Sequence, residues 1–545
     1  MAGVILGGTA VSEAPVISTA REKDEEQQNV RPEDILKDTE QAVDHEHNMT
    51  LKEGIHKYPL AIFWSIWFSG AVIMEGFDHA FISGFIAFPA FQERYGVAIE
   101  NKPGKYEIPA EIQAAIGNGT QAGEIIGLLI CGLFVQWFGY RWVMIGCLIS
   151  MIGFIFIQFF ATDIYMYLGA EILLGVPWGA FQTLTTTYAA EICPDVLRPY
   201  LTSLVSMFWS IGYLVGTAVL RGCLTLEGAK AYKIPFALQW IFPIPLAIGI
   251  FLAPESPWWL VRKGKLDEAT RALKKLSARS SDDEITNTLS MMVYTNQVEE
   301  EMKTSASYWS LFKGVELRRT EITVFTYIIQ VITSALVGYI IYFLEQAGLS
   351  SATSFDFGCG EYALAIVGVL IAWYLISRVG RRTLLLWGVS FMTITTFVIG
   401  FMGIPNTAGH SSIAYAIGSI LLVQYFVYFI TIGSIIYTIV TEIPSGVLRA
   451  KSVVLARAVY NLVAIIKGQL NPRMIQVTSW NWGAKMGFFW GGIMLINLVW
   501  SYYRVPETKG RTFLEIDILF KNNVKARDFS KAKVDVATGT VTEEE

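Results

Sequence analysis

Four ionisable side chains stand inside long apolar stretches of the sequence. Glu75 and Asp78 are three residues apart in the first stretch, Glu124 lies in the middle of the second, and Arg457 lies in a late one. Charged groups persist in lipid when they face a cavity or a partner, and residues three apart on a helix share a face. Burial and mutual repulsion favour the protonated form of a carboxyl, whereas arginine keeps its charge. The pattern predicts acids that bind and release protons, with Arg457 pairing with whichever acid is ionised.

Other interpretations of these buried charges stay open. Such groups also occur as structural ion pairs that lock helices together, although here three acids outnumber one cation. Glu171, in the fourth apolar stretch, is expected either to pack near the cytosolic end of its helix or to take part in proton coupling. His79 adjoins Asp78 and is expected to face lipid headgroups instead of sharing the titration of that acid.

The elements that must position these groups are transmembrane helices. Of the 545 residues, 53% are hydrophobic and 16% are charged, against about 25% charged in ordinary soluble proteins. A helix needs about 20 apolar residues to cross the hydrocarbon layer, which cannot satisfy an open backbone. The twelve predicted spans, numbered 1 to 12, are 59–87, 112–135, 142–161, 164–188, 200–220, 235–253, 321–344, 359–377, 383–404, 412–440, 452–471 and 485–505. The predicted fold class is an all-α membrane protein with twelve transmembrane helices.

The distribution of Lys and Arg predicts the orientation and the domains. Basic residues are concentrated in the segments after spans 6, 8 and 10, so these segments and both termini are predicted to be cytosolic. The first 57 residues hold 12 acidic and 6 basic side chains. The predicted domains are an acidic, disordered cytosolic tail at 1–57, a six-helix bundle at 58–253, a cytosolic linker with short helices at 254–320, a second six-helix bundle at 321–505 and a cytosolic tail at 506–545.

Acidic and basic residues recur at matching cytosolic positions of the two halves. The recurring residues are Glu191, Arg198 and Glu255 in the first half and Glu442, Arg449 and Glu507 in the second. They are predicted to gate the cytosolic side by joining helix ends, and the alternative is that they only anchor loops. Two parallel six-helix halves are typical of secondary transporters, which bind substrate between the halves near the middle of the membrane.

Longer motifs carry a resemblance to a known family. They are the runs at 74–78, 123–127, 177–182, 254–260, 481–485 and 506–510. Over residues 58–515 the chain resembles the sugar porters of the major facilitator superfamily (MFS), and within them the fungal maltose and α-glucoside permeases. The resemblance implies proton-coupled uptake of an α-glucoside at the plasma membrane. It also implies that Asp78 is the proton site and that Glu75, Glu124 and Arg457 act alongside it.

A sugar site needs amide and hydroxyl groups for the sugar hydroxyls and an aromatic ring for the C–H face. The candidates within the predicted spans are Gln182, Gln330, Tyr339, Tyr437 and Asn461. By the resemblance, Tyr437 stands where sugar porters place an aromatic plate. Asn461 follows Arg457 by one helical turn, which would bring the coupling charge beside the sugar.

The sequence disfavours several other classes of protein. Five scattered cysteines suggest neither a disulfide framework nor a metal cluster, and no Gly-Lys-Ser/Thr loop is present to bind nucleotide phosphates. We therefore expect no cofactor, no metal, no enzymatic activity and no nucleic-acid partner. The expected partners are a sugar, protons and the bilayer, and the chain is expected to function as a monomer. The alternatives are a facilitative hexose or polyol uniporter and a non-transporting sugar sensor.

Overall fold

The computed structural model describes most of the chain. The described residues are 49–98, 106–194, 196–277, 279–303, 308–336, 340–346, 348–404, 411–445, 448–476, 479–509, 511, 513–535 and 540–543. Most of the tail predicted at 1–57 therefore lies outside the described residues, as do Tyr339 and the loop at 405–410.

The first half of the chain folds into helices that match predicted spans 1 to 6. Their bounds are Pro59–Phe85, Ala110–Phe138, Tyr140–Phe159, Ile164–Ile192, Arg198–Cys223 and, for span 6, Lys230–Leu238 continued by the 3-10 turn Gln239–Ile241 and Pro243–Leu252. Asp163 caps span 4 by accepting hydrogen bonds from the backbone N–H groups of Tyr165 and Met166, which would otherwise have no partner in the first turn.

The second half contains spans 7 to 12. Their bounds are Gly314–Thr333 with Ile340–Gln346, Ser351–Arg378, Arg381–Met402, Ser411–Ile430 with Ile432–Glu442, Arg449–Ile475 and Met486–Arg504. Within the described ranges, ten helices are long and apolar enough to cross a membrane. Spans 7 and 12 are outside that set: span 7 is divided after Thr333, and span 12 has 19 residues that include two Trp and two Tyr.

Shorter elements connect and flank the spans. The short helices are Leu51–Lys57, Pro89–Tyr95, Pro257–Arg262, Leu266–Leu276, Asp282–Lys303 and Phe513–Lys521, with 3-10 turns at Tyr308–Phe312 and Gly483–Lys485. Two antiparallel hairpins pair Val97–Ala98 with Tyr106–Glu107 and Ala532–Asp535 with Thr540–Glu543. Both hairpins lie outside the spans, so the membrane part of the chain is helical as predicted.

Glycines allow the spans that carry the acids to approach closely. A Cβ atom at Gly127 of span 2 would lie 1.9 Å from the carbonyl oxygen of Val176 in span 4, and one at Gly76 of span 1 would lie 2.3 Å from that of Trp209 in span 5. Small residues at such contacts let helix backbones pack directly against each other. The contacts fix spans 1, 2, 4 and 5 around Glu75 and Glu124.

In the described part of the chain, two pairs of spans make the most extensive contacts between the halves. Span 5 packs against span 8, with Arg221 and Asp356 forming a 2.8 Å ion pair at the predicted external end and Tyr200 contacting Trp373 at the predicted cytosolic end. Span 2 packs against span 11, where Nε2 of Gln476 donates a 2.9 Å hydrogen bond to the carbonyl oxygen of Ile108. The boundary between the halves therefore runs beside the acids of spans 1 and 2.

Candidate functional site

Glu75 and Asp78 are both buried in span 1, but they contact different neighbours. Oε1 of Glu75 accepts a 2.7 Å hydrogen bond from Nε2 of Gln182 in span 4. Oδ1 of Asp78 accepts hydrogen bonds from Gln158 of span 3, at 3.2 Å, and from Gln239 of span 6. The two acids therefore belong to two polar groups. The inner cluster contains Glu75, His79, Glu124, Gln182 and Arg457, and the outer cluster contains Asp78, Gln158, Glu171 and Gln239.

His79 lies beside both acids of the inner cluster. Its Nε2 lies 3.3 Å from Oε1 of Glu124, and its Nδ1 lies 3.1 Å from the carbonyl oxygen of Glu75. A carbonyl oxygen only accepts, so a hydrogen bond to that oxygen requires a hydrogen on Nδ1, and Nε2 then faces Glu124. Carboxylate and imidazole atoms of Glu75, His79 and Glu124 lie within 4.8 Å of one another, a spacing that would also suit a metal ion. The expectation that His79 faces lipid headgroups is wrong.

Arg457 enters the inner cluster from the other half of the molecule. Its guanidinium donates a hydrogen bond to Oε1 of Gln182, whose Nε2 in turn donates to Glu75. The guanidinium also lies 4.3 Å from the ring centroid of Tyr460 and 5.9 Å from that of Tyr327, where cation–π attraction stabilises a buried cation. No ion pair between Arg457 and an acid occurs within the described ranges, so the predicted pairing runs through the Gln182 amide.

The outer cluster brings Glu171 beside Asp78. Nε2 of Gln158 donates to Oε1 of Glu171 at 2.8 Å and to Oδ1 of Asp78 at 3.2 Å. Glu171 is 0% exposed and stands seven residues after the start of span 4. In the predicted orientation that end of span 4 is external, which does not agree with packing near the cytosolic end.

The predicted sugar ligands lie near the inner cluster, except for Tyr339, which is outside the described residues. Gln182 is held by Glu75 and Arg457, whereas Gln330 and Asn461 are buried with side-chain carbonyl oxygens that accept no hydrogen bond from the described residues. Tyr437 is 40% exposed, and its ring centroid lies 6.2 Å from that of Tyr327. The free amide oxygens could accept hydrogen bonds from sugar hydroxyls.

Several buried side chains near the boundary were not predicted. Tyr213 of span 5 stacks on Tyr362 of span 8 with ring centroids 4.5 Å apart, and Tyr425 packs edge-on against Tyr362 at 5.6 Å. Glu361, beside Tyr362, is 0% exposed. An acid inside an apolar stretch is the signal that identified Glu75, and it could have identified Glu361. The tyrosines gave no such signal because aromatic residues are common in these spans.

The recurring acids hold the predicted cytosolic helix ends together within each half. Oε1 and Oε2 of Glu255 accept hydrogen bonds from the backbone N–H groups of Tyr140 and Arg141 at 3.0 and 3.2 Å. Oε1 and Oε2 of Glu507 accept them from Arg381 and Arg382 at 2.7 and 3.2 Å. Burial raises the pKa of Glu255 against the opposing effect of its backbone N–H donors. The two halves therefore use one local structure twice.

The other two recurring acids, Glu191 and Glu442, form ion pairs with Arg262 and Arg381. Glu191 accepts hydrogen bonds from Arg262 at 2.6 Å and from the Tyr140 hydroxyl at 2.9 Å. Glu442 accepts one from Arg381 at 3.1 Å. Nε of Arg198 donates to the carbonyl oxygen of Ala190, one residue before Glu191.

Arg449 is the first residue of the span 11 helix. The hydrogen bonds from Arg262 and Arg381 do not cross between the halves, so Glu191 and Glu442 connect helix ends within each half.

Comparisons with known proteins agree with this architecture. Residues 64–520 match the family described as "Sugar (and other) transporter". The general alpha-glucoside permease of Saccharomyces cerevisiae is 41% identical over 522 residues, which cover 94% of this chain and 84% of that protein. The maltose permease MAL61 of the same species is 39% identical over 510 residues, covering 92% of this chain and 82% of the permease.

A solved structure has the same fold. The xylose transporter XylE from E. coli, in a partially occluded inward open conformation, gives a TM-score of 0.66 at 18% sequence identity. The match covers 84% of this chain and 99% of XylE. Twelve helices in two six-helix bundles are thus the architecture of this chain, as the sequence predicted.

Proposed function

The chain belongs to the sugar transporter family, and we propose that it imports maltose or another α-glucoside together with protons by alternating access. It is a multi-pass membrane protein. The plasma membrane as its location, the cytosolic position of both termini and function as a monomer are parts of the same proposal.

The observation that supports proton coupling is the inner cluster. Two buried acids, Glu75 and Glu124, lie with His79 within 4.8 Å of one another, and His79 faces Glu124. Glu75 is joined to Arg457 of the other half through Gln182. A proton added to or removed from this cluster changes the charge that faces Arg457 across the boundary between the halves. Because the halves move against each other during alternating access, that change can favour one conformation over the other.

The sequence of events follows from the charges. When Glu75 and Glu124 are ionised, the contacts from Glu75 through Gln182 to Arg457 hold the two halves together at the inner cluster. Protonation weakens the tie because a neutral carboxyl attracts a guanidinium less strongly than a carboxylate does. Sugar bound beside Asn461 would contact the helix that carries Arg457, so sugar and proton act on one element. One proton crossing 100 mV supplies about 2.3 kcal/mol, which supports roughly fiftyfold accumulation.

The names of the yeast relatives support an α-glucoside as the substrate. Amide oxygens at Gln330 and Asn461, with tyrosines at 327, 437 and 460, offer the acceptors and the apolar rings that a glucoside requires. Competition for uptake of radiolabelled maltose by other α-glucosides, cellobiose, lactose and glucose tests this part of the proposal. Stronger competition by cellobiose or glucose than by α-glucosides would contradict it.

Proton coupling is tested with Glu124→Gln, which keeps the shape of the side chain but cannot titrate. Cells that lack their own maltose uptake would express the wild type, this variant and Glu111→Gln, an exposed acid in the first turn of the same helix. We expect wild type and Glu111→Gln to accumulate maltose and to make the medium more alkaline. Glu124→Gln should lose both effects while still exchanging labelled for unlabelled maltose.

The other outcomes identify the alternative functions. Uptake by the wild type without proton movement indicates a uniporter, and binding without uptake indicates a sensor. Full accumulation by Glu124→Gln would exclude the inner cluster as the coupling site.

A further inference from the structure

The outer cluster has more hydrogen-bond acceptors than donors. Gln158 and Gln239 donate three hydrogen bonds to Asp78 and Glu171. The amides do not reach Oδ2 of Asp78 or Oε2 of Glu171, and the side-chain oxygens of Gln158 and Gln239 accept no hydrogen bond from the described residues, although all four atoms are buried. The buried hydroxyl of Tyr167 is a further donor beside Glu171. A buried acceptor without a donor is costly. A proton on either carboxyl turns an acceptor into a donor and satisfies another of these oxygens.

The charges lead to the same conclusion. Two ionised carboxylates that share one amide donor repel each other in a buried place. No Lys or Arg forms an ion pair with Asp78 or Glu171 in the described part of the chain. The other titratable groups around them are His79, which is paired with Glu124, and Tyr167, which is on the helix of Glu171 and one turn before it. A single proton on the pair removes most of the repulsion.

We propose that Asp78 and Glu171 hold one proton between them and form a second proton-binding unit, in which Gln158 is the positioning residue. This inference rests on the proposed function and adds Glu171 to it. One O–H bond forms on whichever carboxyl takes the proton from the external water, and the same bond breaks on release, so the pair alternates between charges of minus one and minus two.

The position of the pair suggests its part in transport. Asp78 precedes the end of span 1 by seven residues, and Gln158 is the penultimate residue of span 3. Both ends are external in the predicted orientation. Glu75 lies about one helical turn closer to the cytosol. The outer cluster therefore takes up protons from outside, and the inner cluster couples protonation to the contact between the halves.

Two substitutions should change the pH dependence of uptake in opposite directions. Glu171→Gln removes the repulsion that favours a proton on Asp78, so half-maximal maltose uptake should move to lower pH by about one unit or more. Gln158→Met removes the amide that donates to both carboxylates while keeping the length of the side chain, so half-maximal uptake should move to higher pH. Glu171→Asp keeps the acid pair and should stay near the wild-type profile.

The measurement is uptake of radiolabelled maltose by cells over a series of external pH values, with maltose exchange recorded for each variant. Exchange shows that a variant is in the membrane and still binds sugar. A Glu171→Gln profile that superimposes on the wild type, with exchange intact, would overturn the shared proton. Should Glu171→Gln not reach the membrane, an unchanged profile of Gln158→Met overturns it instead.

Failure of this inference can be told from failure of the proposed function. Wild-type cells that take up maltose without making the medium more alkaline would refute symport itself. A coupled wild type together with unshifted variants would refute only the shared proton on Asp78 and Glu171.

Discussion

The two halves of the chain match at their predicted cytosolic ends and differ in the middle of the membrane. At the ends, Glu255 and Glu507 each accept two backbone N–H groups in the same way. In the middle, the first half supplies the acids of both clusters, whereas the second half supplies Arg457 with its surrounding tyrosines. The difference suggests that gating is shared by the halves, and that the acids of the two clusters come from the first half.

The substitution with the largest expected effect tests the contact that Arg457 of the second half makes with the first half in the middle of the membrane. Arg457→Gln removes the cation that contacts the first half through Gln182. Truncating a buried, charged, hydrogen-bonded group costs about 2–5 kcal/mol. We expect uphill maltose uptake to fall about a hundredfold while maltose exchange continues. Arg473→Gln, in the last turn of the same helix and bonded to Gln469, is the matched control. Undiminished accumulation by Arg457→Gln would mean that the halves are coupled elsewhere.

His79 tests whether the two acids of the inner cluster act as one unit. His79→Gln removes the imidazole that lies 3.3 Å from Glu124, and a hydrogen bond to a charged group is worth about 1.5–3 kcal/mol. Uphill uptake should fall about tenfold or more, with less alkalinisation for each maltose taken up. His56→Gln, at an exposed cytosolic position, should behave as the wild type. Equal proton movement per maltose in His79→Gln and wild type would separate the ring from coupling.

Because Glu255 and Glu507 make the same contacts, we expect substitutions of the two to have equal effects. These effects should be smaller than those of the Arg457 and His79 substitutions. In Glu255→Gln or Glu507→Gln the amide nitrogen cannot accept the second backbone N–H, and a hydrogen bond contributes about 0.5–1.5 kcal/mol. Each variant should lower the maximal rate of uptake about fivefold and leave the KM for maltose near its wild-type value. The two variants serve as controls for each other. A loss in only one of them would show that the ends are alike in structure but not in function.

The smallest effect is expected at the predicted external surface. Arg221 and Asp356 join the halves there, but both are partly exposed, and water and salt weaken such pairs. Arg221→Gln should change the KM for maltose by less than about threefold, and high salt should remove the difference. A larger change that persists in salt would place part of the coupling at this surface instead of in the buried clusters.

Much of the fold followed from the sequence because lipid restricts what can be buried in it. Twelve apolar stretches gave the helices to within a few residues at most ends, although spans 6, 7 and 10 are each divided into shorter elements. The same restriction identified Glu75, Asp78, Glu124 and Arg457, since charged side chains are rare in such stretches.

The roles of the amide side chains and of His79 could not be assigned from the sequence. Gln158, Gln182 and Gln239 connect the acids, and amides occur in many roles. Which acids each glutamine contacts depends on the side chains that neighbouring helices place beside it. His79 was misjudged for the same reason, because its partner Glu124 is on another span.

The sequence alone therefore identified Glu75, Asp78, Glu124 and Arg457 as charges within the spans and showed on which helices they lie, because charged side chains are rare in such stretches. Only the tertiary structure decided how those charges are grouped. Glu75 and Asp78 are three residues apart, so their directions differ by about 60° around a helix with 3.6 residues per turn. That angle is enough for one acid to contact Gln182 of span 4 and the other to contact Gln158 of span 3, because helix periodicity gives the direction of a side chain and only packing determines which neighbour it meets.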